Sequence, residues 1–197
     1  IYIGYKPMPP KPKISKEQII EKALSVVRER GASALTAKAL AQALSCSTQP
    51  VFWHFENMEE LKKEVFAAAL KIFGQALRRE VVCESRYLAL GLNYIHFAAE
   101  ERELFRLLFM SDFGKTDLIG ANVEMEYVLR VIEETEHITG DNARIIYRDM
   151  WLFSHGIAAM IAAGTAEFSE DELRGMLSGV CRALISSLEK KNKRSIP

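Results

Sequence analysis

Long apolar runs are missing from this chain. No stretch reaches the roughly 18–20 consecutive apolar residues that a membrane-spanning helix needs. Glycine and proline are sparse, 11 and 6 residues in 197, which argues against a fibrous or disordered polymer. Cysteine is sparser still: Cys46, Cys83 and Cys181 are far apart and form no C-x-x-C pair. Neither a disulfide framework nor a structural zinc site is expected from them, and reduced thiols in a cytoplasmic protein are the default. Net charge is absent, with 26 basic and 26 acidic side chains. No H-E-x-x-H, Ser-His-Asp or phosphate-cradling glycine motif occurs, and the four histidines suggest no metal set. The sequence therefore gives no reason to expect an enzyme, a metal or a cofactor. The first residues, IYIGYKPMPPKPK, are interrupted by four prolines and hold no apolar core, so they do not read as a secretory leader.

What is present is an ordinary globular composition, 49% hydrophobic and 26% charged, in a chain long enough to bury a sizeable core. The charge is unevenly placed. Residues 1–57 carry eight basic and four acidic side chains, a balance of +4, and the remainder carries −4. That asymmetry suggests that the first part meets a polyanion and the second does not.

Helical punctuation runs along the whole length. Ser15 with Gln18, Asn57 with Glu60, and Ser169 with Glu172 have the spacing of capping pairs, and Thr36 and Asp141 read as single caps. Gly31, Gly140 and Gly164 stand where apolar periodicity stops. No convincing alternating strand appears, so the fold class is all-α. The expected organisation is a basic, proline-rich arm over 1–14, a three-helix bundle over 15–57, a larger helical domain over 58–190 and a tail over 191–197. The predicted core of the first bundle is Ile20, Leu24, Val27, Leu35, Leu40, Leu44, Val51 and Phe55.

One stretch organises the rest: Thr36 to Phe55, TAKALAQALSCSTQPVFWHF. Ala37, Leu40, Ala41 and Leu44 make one helix face at i, i+3, i+4 and i+7. Ser45-Cys46-Ser47 breaks the pattern, and a second helix is expected from about Thr48, with Pro50 in its first turn. Two short helices joined by a tight turn form a helix-turn-helix, whose second helix can enter a DNA major groove.

Residues 15–66 resemble the TetR family of bacterial transcription regulators. The resemblance rests on the capped first helix ending at Arg30-Gly31, then LTAKALAQALSCS, then TQPVFWHFENMEELKKEVF. Further on, Leu104-Phe105-Arg106-Leu107-Leu108-Phe109 and Trp151-Leu152-Phe153-Ser154-His155-Gly156 resemble the family's subgroup whose effector domain is named for a Trp and a His-Gly pair. The likeness implies a homodimer that binds a near-palindromic operator and releases it when a small molecule enters the C-terminal domain. It implies that Thr36 caps its helix and faces a phosphate, and that Ser47, Thr48 and Gln49 open the reading segment. Gln49 is the first choice for base readout, because Gln pairs bidentately with adenine. Pro50 would meet a thymine methyl, and Trp53 and His54 would face the backbone. Two positions depart from the family pattern. Phe52 stands where Tyr is usual and Met58 where Lys is usual, which removes two phosphate contacts that Lys62 or Lys63, or the basic arm, would have to replace. A small-molecule-binding protein with weakened DNA binding is the alternative this leaves open.

For the larger domain, the dense large side chains suggest a pocket for a hydrophobic or aromatic effector. The candidates are Phe73, Leu77, Tyr94 and Phe97, then Phe105, Leu108, Phe109 and Phe113, then Tyr127, Trp151 and His155, with His96 as a further polar contact. On the last two helices, small residues recur at interlocking spacing: Gly156, Ala159 and Ala163, and Gly175, Gly179 and Ala183, with Leu184 beside them. Such faces allow close helix approach and predict a four-helix dimer interface with twofold symmetry.

Overall fold

The computed structural model describes residues 14–111 and 124–194, the side chains of 191–194 excepted. The described residues contain no strand and eight α-helices: α1 (Lys16–Arg30), α2 (Ala37–Ala43), α3 (Met58–Leu77), α4 (Arg86–Glu100), α5 (Arg102–Phe109), α6 (Met125–Glu136), α7 (Gly140–Ala163) and α8 (Glu170–Arg194). The fold is all-α. The chain divides into two compact units, 1–65 and 66–197, so the division falls inside α3 rather than ahead of it at Met58.

In the first unit the caps are where the sequence places them. Ser15 accepts from the Gln18 N–H and the Gln18 side chain returns to the Ser15 N–H, a complete capping box for α1. Thr36 Oγ1 accepts from the Ala39 N–H at 3.1 Å and opens α2. Asn57 Oδ1 accepts from the Glu60 N–H at 2.9 Å and opens α3. Its core holds Ile19, Ala23, Leu24, Val26 and Val27 of α1 with Leu35, Leu40, Val51 and Phe55. Two core expectations are corrected. Ile20 is only half-buried, because the inward stripe of α1 is centred on Ile19, Ala23, Val26 and Val27. Leu44 is half-buried because α2 has already ended at Ala43. The first turns of α3 belong here: Leu61 and Val65 are buried, and Lys16 pairs with Glu64 at 2.6 Å while lying over the Phe55 ring.

The turn after α2 is a Schellman motif. The Cys46 N–H donates to the Ala41 carbonyl and the Ser45 N–H to the Gln42 carbonyl, both at 3.0 Å. Ser45 occupies the left-handed position, at φ 53°, where a side chain with Cβ is strained.

In the second unit α4 is the central helix, lying against α5, α6, α7 and α8. Asn93 is the polar residue in its buried stripe, 4% exposed. Its Nδ2 donates to the carbonyls of Leu77 at 3.1 Å and Arg79 at 2.8 Å, closing the end of α3. Arg78 closes it further, donating to the Gly74 carbonyl, pairing with Glu124 at the start of α6, and lying 4.3 Å from the Tyr127 ring centroid. Gly74 is needed for this approach, since a Cβ there would come within 2.5 Å of Glu124 Oε1. At α7 the helix begins at Gly140 after Thr139, so Asp141 lies inside the first turn rather than capping it. Gly164, at φ 72°, ends α7 as expected, and Ser169 and Glu172 cap α8 reciprocally.

Two stability measurements check these turns. Ser45→Gly relieves left-handed strain of about 1–2 kcal/mol and gives back about 0.5–1 kcal/mol in chain entropy. A net gain of about 0.5–1 kcal/mol is expected in urea unfolding; a loss would contradict the strained assignment. Asn93→Ala leaves the buried Leu77 carbonyl and the part-buried Arg79 carbonyl without their donor and should cost about 1–3 kcal/mol. An unchanged unfolding midpoint would show that the α3 end does not depend on this amide.

Candidate nucleic-acid interface and ligand cavity

From Thr48 the chain does not continue as an α-helix. Val51 N–H donates to the Thr48 carbonyl at 3.1 Å and His54 N–H to the Val51 carbonyl at 3.2 Å, which makes 3-10 turns with Val51–Trp53 at their centre. Pro50 supplies φ −59° but no N–H, and only seven residues lie between Ser47 and Phe55, so no α-helical ladder develops. The expected second helix is therefore corrected to a short 3-10 segment. In this geometry residues three apart stand one above the other, so Gln49 and Phe52 share one side and Pro50 and Trp53 another. Val51 and Phe55 are buried and anchor the segment, at 0% and 2% exposure.

Ser47, Thr48 and Gln49 are exposed, Pro50 is half-buried, and Phe52 and Trp53 are exposed at 42% and 57%. Two adjacent aromatic side chains left in water, beside an exposed amide and two hydroxyls, form a surface with donors, acceptors and apolar area for an external partner. Thr36 is exposed nearby in sequence, at the mouth of α2. Two of the anticipated contacts are engaged internally. His54 Nε2 lies 2.9 Å from the Ile14 carbonyl and ties the segment to the start of α1. Lys62 Nζ pairs with Glu59 at 3.0 Å on its own helix. The residues of the basic arm, 1–13, lie outside the described ones.

The second unit holds a cavity of about 200 Å³, walled by α3, α4, α6, α7 and α8. It is smaller than the 300–1,000 Å³ usual for drug-sized ligands. Of the expected pocket residues, Phe73, Leu77, Tyr94 and Trp151 line it. The others are placed elsewhere. Phe97, Phe105 and Leu108 are fully buried core, and Phe109 packs on Phe73, Tyr94 and Phe105 behind the wall. Tyr127 sits under Arg78 and faces a separate polar groove. His155 lies between Trp151 (4.9 Å, 14° between planes) and Phe105 (5.7 Å, 30°). His96 pairs with Glu170 at 2.8 Å, away from the lining, and Phe113 lies outside the described residues.

His155 nevertheless acts on the wall, because its Nδ1 lies 2.9 Å from the Tyr94 hydroxyl. Burial holds His155 below the ordinary histidine value and raises the Tyr94 phenol far above the ordinary tyrosine value. The buried indole N–H of Trp151 approaches the same hydroxyl without forming a well-aligned hydrogen bond. The imidazole is neutral here, and its tautomer sets which of the two groups donates in this contact.

The lining that sequence reasoning missed follows the helical period on facing elements: Tyr87, Leu88 and Gly91 on α4, Tyr147, Met150 and Ser154 on α7, and Ser178, Cys181 and Ile185 on α8. Gly91 gives Leu177 room to close on α4; a Cβ there would meet its methyl at 3.2 Å. Polar lining gathers at one end, around Glu136 of α6. Glu136 Oε1 accepts from Ser85 and Thr135, each at 3.2 Å. Cys181 is pushed up to about 11, by burial first and by Glu136 second, and so is a neutral thiol.

On α7 and α8, Gly156, Ala163, Gly175, Gly179 and Ala183 are exposed, and Ala159 and Leu184 are half-buried. A Cβ at Gly156, Gly175 or Gly179 would meet nothing within 4 Å. Leu152 and Met160 are exposed at 49% and 47% on the same stretch of α7.

Residues 19–65 match the family model described as bacterial regulatory proteins, tetR family. Among curated proteins none matches the chain significantly. Solved structures are similar in fold over nearly the whole length. A TetR variant from Acinetobacter baumannii AYE in complex with minocycline is 21% identical, with 90% of this chain and 98% of that one covered and a TM-score of 0.58. A protein with unknown function from Rhodococcus sp. RHA1 is 20% identical, with 91% and 98% covered and a TM-score of 0.68. A TetR-like transcriptional regulator from the same organism is 16% identical, with 84% and 93% covered and a TM-score of 0.61. The family model of bacterial regulatory proteins, tetR family, thus covers the helix-turn-helix unit, and the fold shared with the solved structures extends through the helical unit that follows it in the chain.

Proposed function

We propose that the protein is a ligand-responsive transcriptional repressor that binds a near-palindromic DNA operator as a homodimer and releases it when a small apolar or aromatic molecule occupies the C-terminal cavity. The observation that carries this reading is the exposed Ser47-Thr48-Gln49 run beside exposed Phe52 and Trp53, on a segment anchored by buried Val51 and Phe55. Gln49 supplies a bidentate amide for a base edge, Thr36, Ser47 and Thr48 supply hydroxyls for phosphates, and Pro50, Phe52 and Trp53 supply apolar contact with methyls and deoxyribose. Dimerisation is supported by the open small-residue faces of α7 and α8 and by exposed Leu152 and Met160. A near-palindromic operator read by a twofold dimer requires two reading segments one DNA turn apart, about 34–36 Å. That a protein of similar fold was solved in complex with minocycline supports a ligand in the helical unit. A ligand that prefers the dimer state with wrongly spaced segments lowers operator affinity by its differential binding.

A second reading, a ligand-binding protein with weakened DNA binding, is favoured by Phe52, by Met58, and by the internal pairing of His54 and Lys62. Binding to duplex DNA separates the two. In the first reading, an operator selected from random duplexes binds specifically, and Gln49→Ala costs about 1–3 kcal/mol of discrimination with little effect on non-specific binding. Equal specific affinity of this variant, measured by fluorescence anisotropy, would remove Gln49 as a reader; absence of any duplex binding would leave the second reading. Separately, Leu152→Glu combined with Met160→Glu should convert the dimer to a monomer in sedimentation, with helicity retained. A monomeric parent protein at the same concentration would refute the dimer.

A further inference from the structure

The cavity's charge is one-sided at the buried end. Beside Glu136, the charged side chains that reach the wall are Glu84 and Arg182, both exposed and opposite in sign. Glu136 is half-buried, receives the Ser85 hydroxyl and shares the Thr135 hydroxyl with the Val131 carbonyl, and has no salt bridge among the described residues. Next to it stand aromatic faces. The phenol of Tyr87 feels the Glu136 charge and lies near Tyr147, and Tyr94 and Trp151 continue the wall toward Phe73. Burial keeps the Tyr87 and Tyr94 phenols and the Cys181 thiol uncharged at neutral pH, so they add no charge to that of Glu136.

From this arrangement we infer that the cavity takes a small monocation: a protonated or quaternary amine that meets Glu136, attached to a single-ring or similarly compact apolar body held between Tyr87, Tyr94, Tyr147 and Trp151. The inference rests on the reading of the cavity as the effector site and adds the chemistry of its occupant. A carboxylate at the edge of an apolar chamber repels anions and gives neutral ligands without a hydrogen-bond donor nothing to recognise, whereas an ammonium gains a charge-assisted contact and the negative faces of aromatic rings. The size sets the body. About 200 Å³ accommodates one ring with a short amine-bearing arm, and a fused polycycle exceeds it.

The test is calorimetric titration of the full chain with three probes of similar size: benzyltrimethylammonium, its uncharged carbon isostere neopentylbenzene, and the anion phenylacetate. The cation should bind at least about tenfold more tightly than the isostere, and the anion most weakly. Glu136→Gln keeps an acceptor for Ser85 and Thr135, so circular dichroism should be unchanged. It should cut the cation's affinity about ten- to hundredfold and leave the isostere's as it was. Glu136→Asp, which keeps the charge, should retain the preference for the cation. Isostere or anion binding as tightly as the cation would overturn the charge assignment while leaving the cavity as a ligand site. Indifference of the cation to Glu136→Gln would do the same. If no probe binds, the charge assignment and the effector-site reading fall together.

Discussion

The closed end of α3 is the constraint on which the helical unit depends. A helix terminus leaves carbonyls without partners, and inside a protein each must find a donor. Here the Asn93 amide reaches from the middle of α4 to the Leu77 and Arg79 carbonyls, and Arg78 holds the Gly74 carbonyl while it pairs with Glu124 of α6. Phe73 and Leu77, on the turns just before that terminus, are cavity wall. The same stretch of α3 is thus both wall and anchor. Apolar contacts are non-directional and allow sliding, whereas hydrogen bonds fix angle as well as distance. A ligand that presses on Phe73, or on α6 through Val128 and Glu136, therefore acts on a helix end whose register is set by donors and acceptors.

Helix positions were legible in the sequence wherever a side chain does the capping. Ser15, Thr36, Asn57 and Ser169 each accept from the backbone N–H three residues on, and a hydroxyl or amide at that spacing is visible before any fold is known. Legibility failed where the backbone itself decides. Nothing marks Ser45 as a left-handed residue, because its conformation comes from the Schellman pairing of Ala41 and Gln42 with the residues after the helix. Thr48 to His54 looked like an α-helix by the Val51 and Phe55 spacing, but that spacing serves equally to bury two side chains of a 3-10 turn. Asp141 has the chemistry of a cap and is displaced from that role by Gly140, whose φ of 61° starts the helix one residue earlier.

The cavity was half legible for a different reason. Wall and core in such a unit are both made of large apolar side chains, so composition places Phe73, Tyr94, Phe97 and Phe105 in one neighbourhood without sorting them. The aromatic contacts show that neighbourhood is real: Phe73 touches Tyr94, Phe97 and Phe109 with ring centroids 5.2–5.6 Å apart. Which side of it is empty depends on α8, where Leu177, Cys181 and Ile185 close the far wall, and on Gly91, which lets α8 approach. Those residues carry no local signature. Glu136 was missed because a glutamate in the last turn of an acidic helix reads as solvated surface; only the packing of α4 and α8 around it turns it into lining.

On the proposed reading of the N-terminal unit, the balance of forces at its DNA surface follows from what is engaged internally. Affinity for DNA normally comes mainly from cations that displace counterions, and hydroxyls or amides contribute position and sequence instead. Phe52 and Met58 offer no donor, the Lys62 ammonium is shared with Glu59, and the Lys16 ammonium with Glu64. The surface from Ser47 to Trp53 therefore discriminates more than it attracts. The attraction must come from the rest of the unit's positive charge, including Lys22, Arg30, Lys38 and Lys63, which are exposed, and Lys6, Lys11 and Lys13 of the arm. Of the eight basic residues in 1–57, three are in that arm, so a large share of the salt-dependent binding would reside ahead of α1 while base reading stays at Gln49. His54 is the residue that joins the two, since its imidazole meets the Ile14 carbonyl at the point where the arm enters α1. That contact fixes where the basic arm begins relative to the reading segment, and an arm that starts at a fixed place can add attraction without loosening the register of the bases that Gln49 would read.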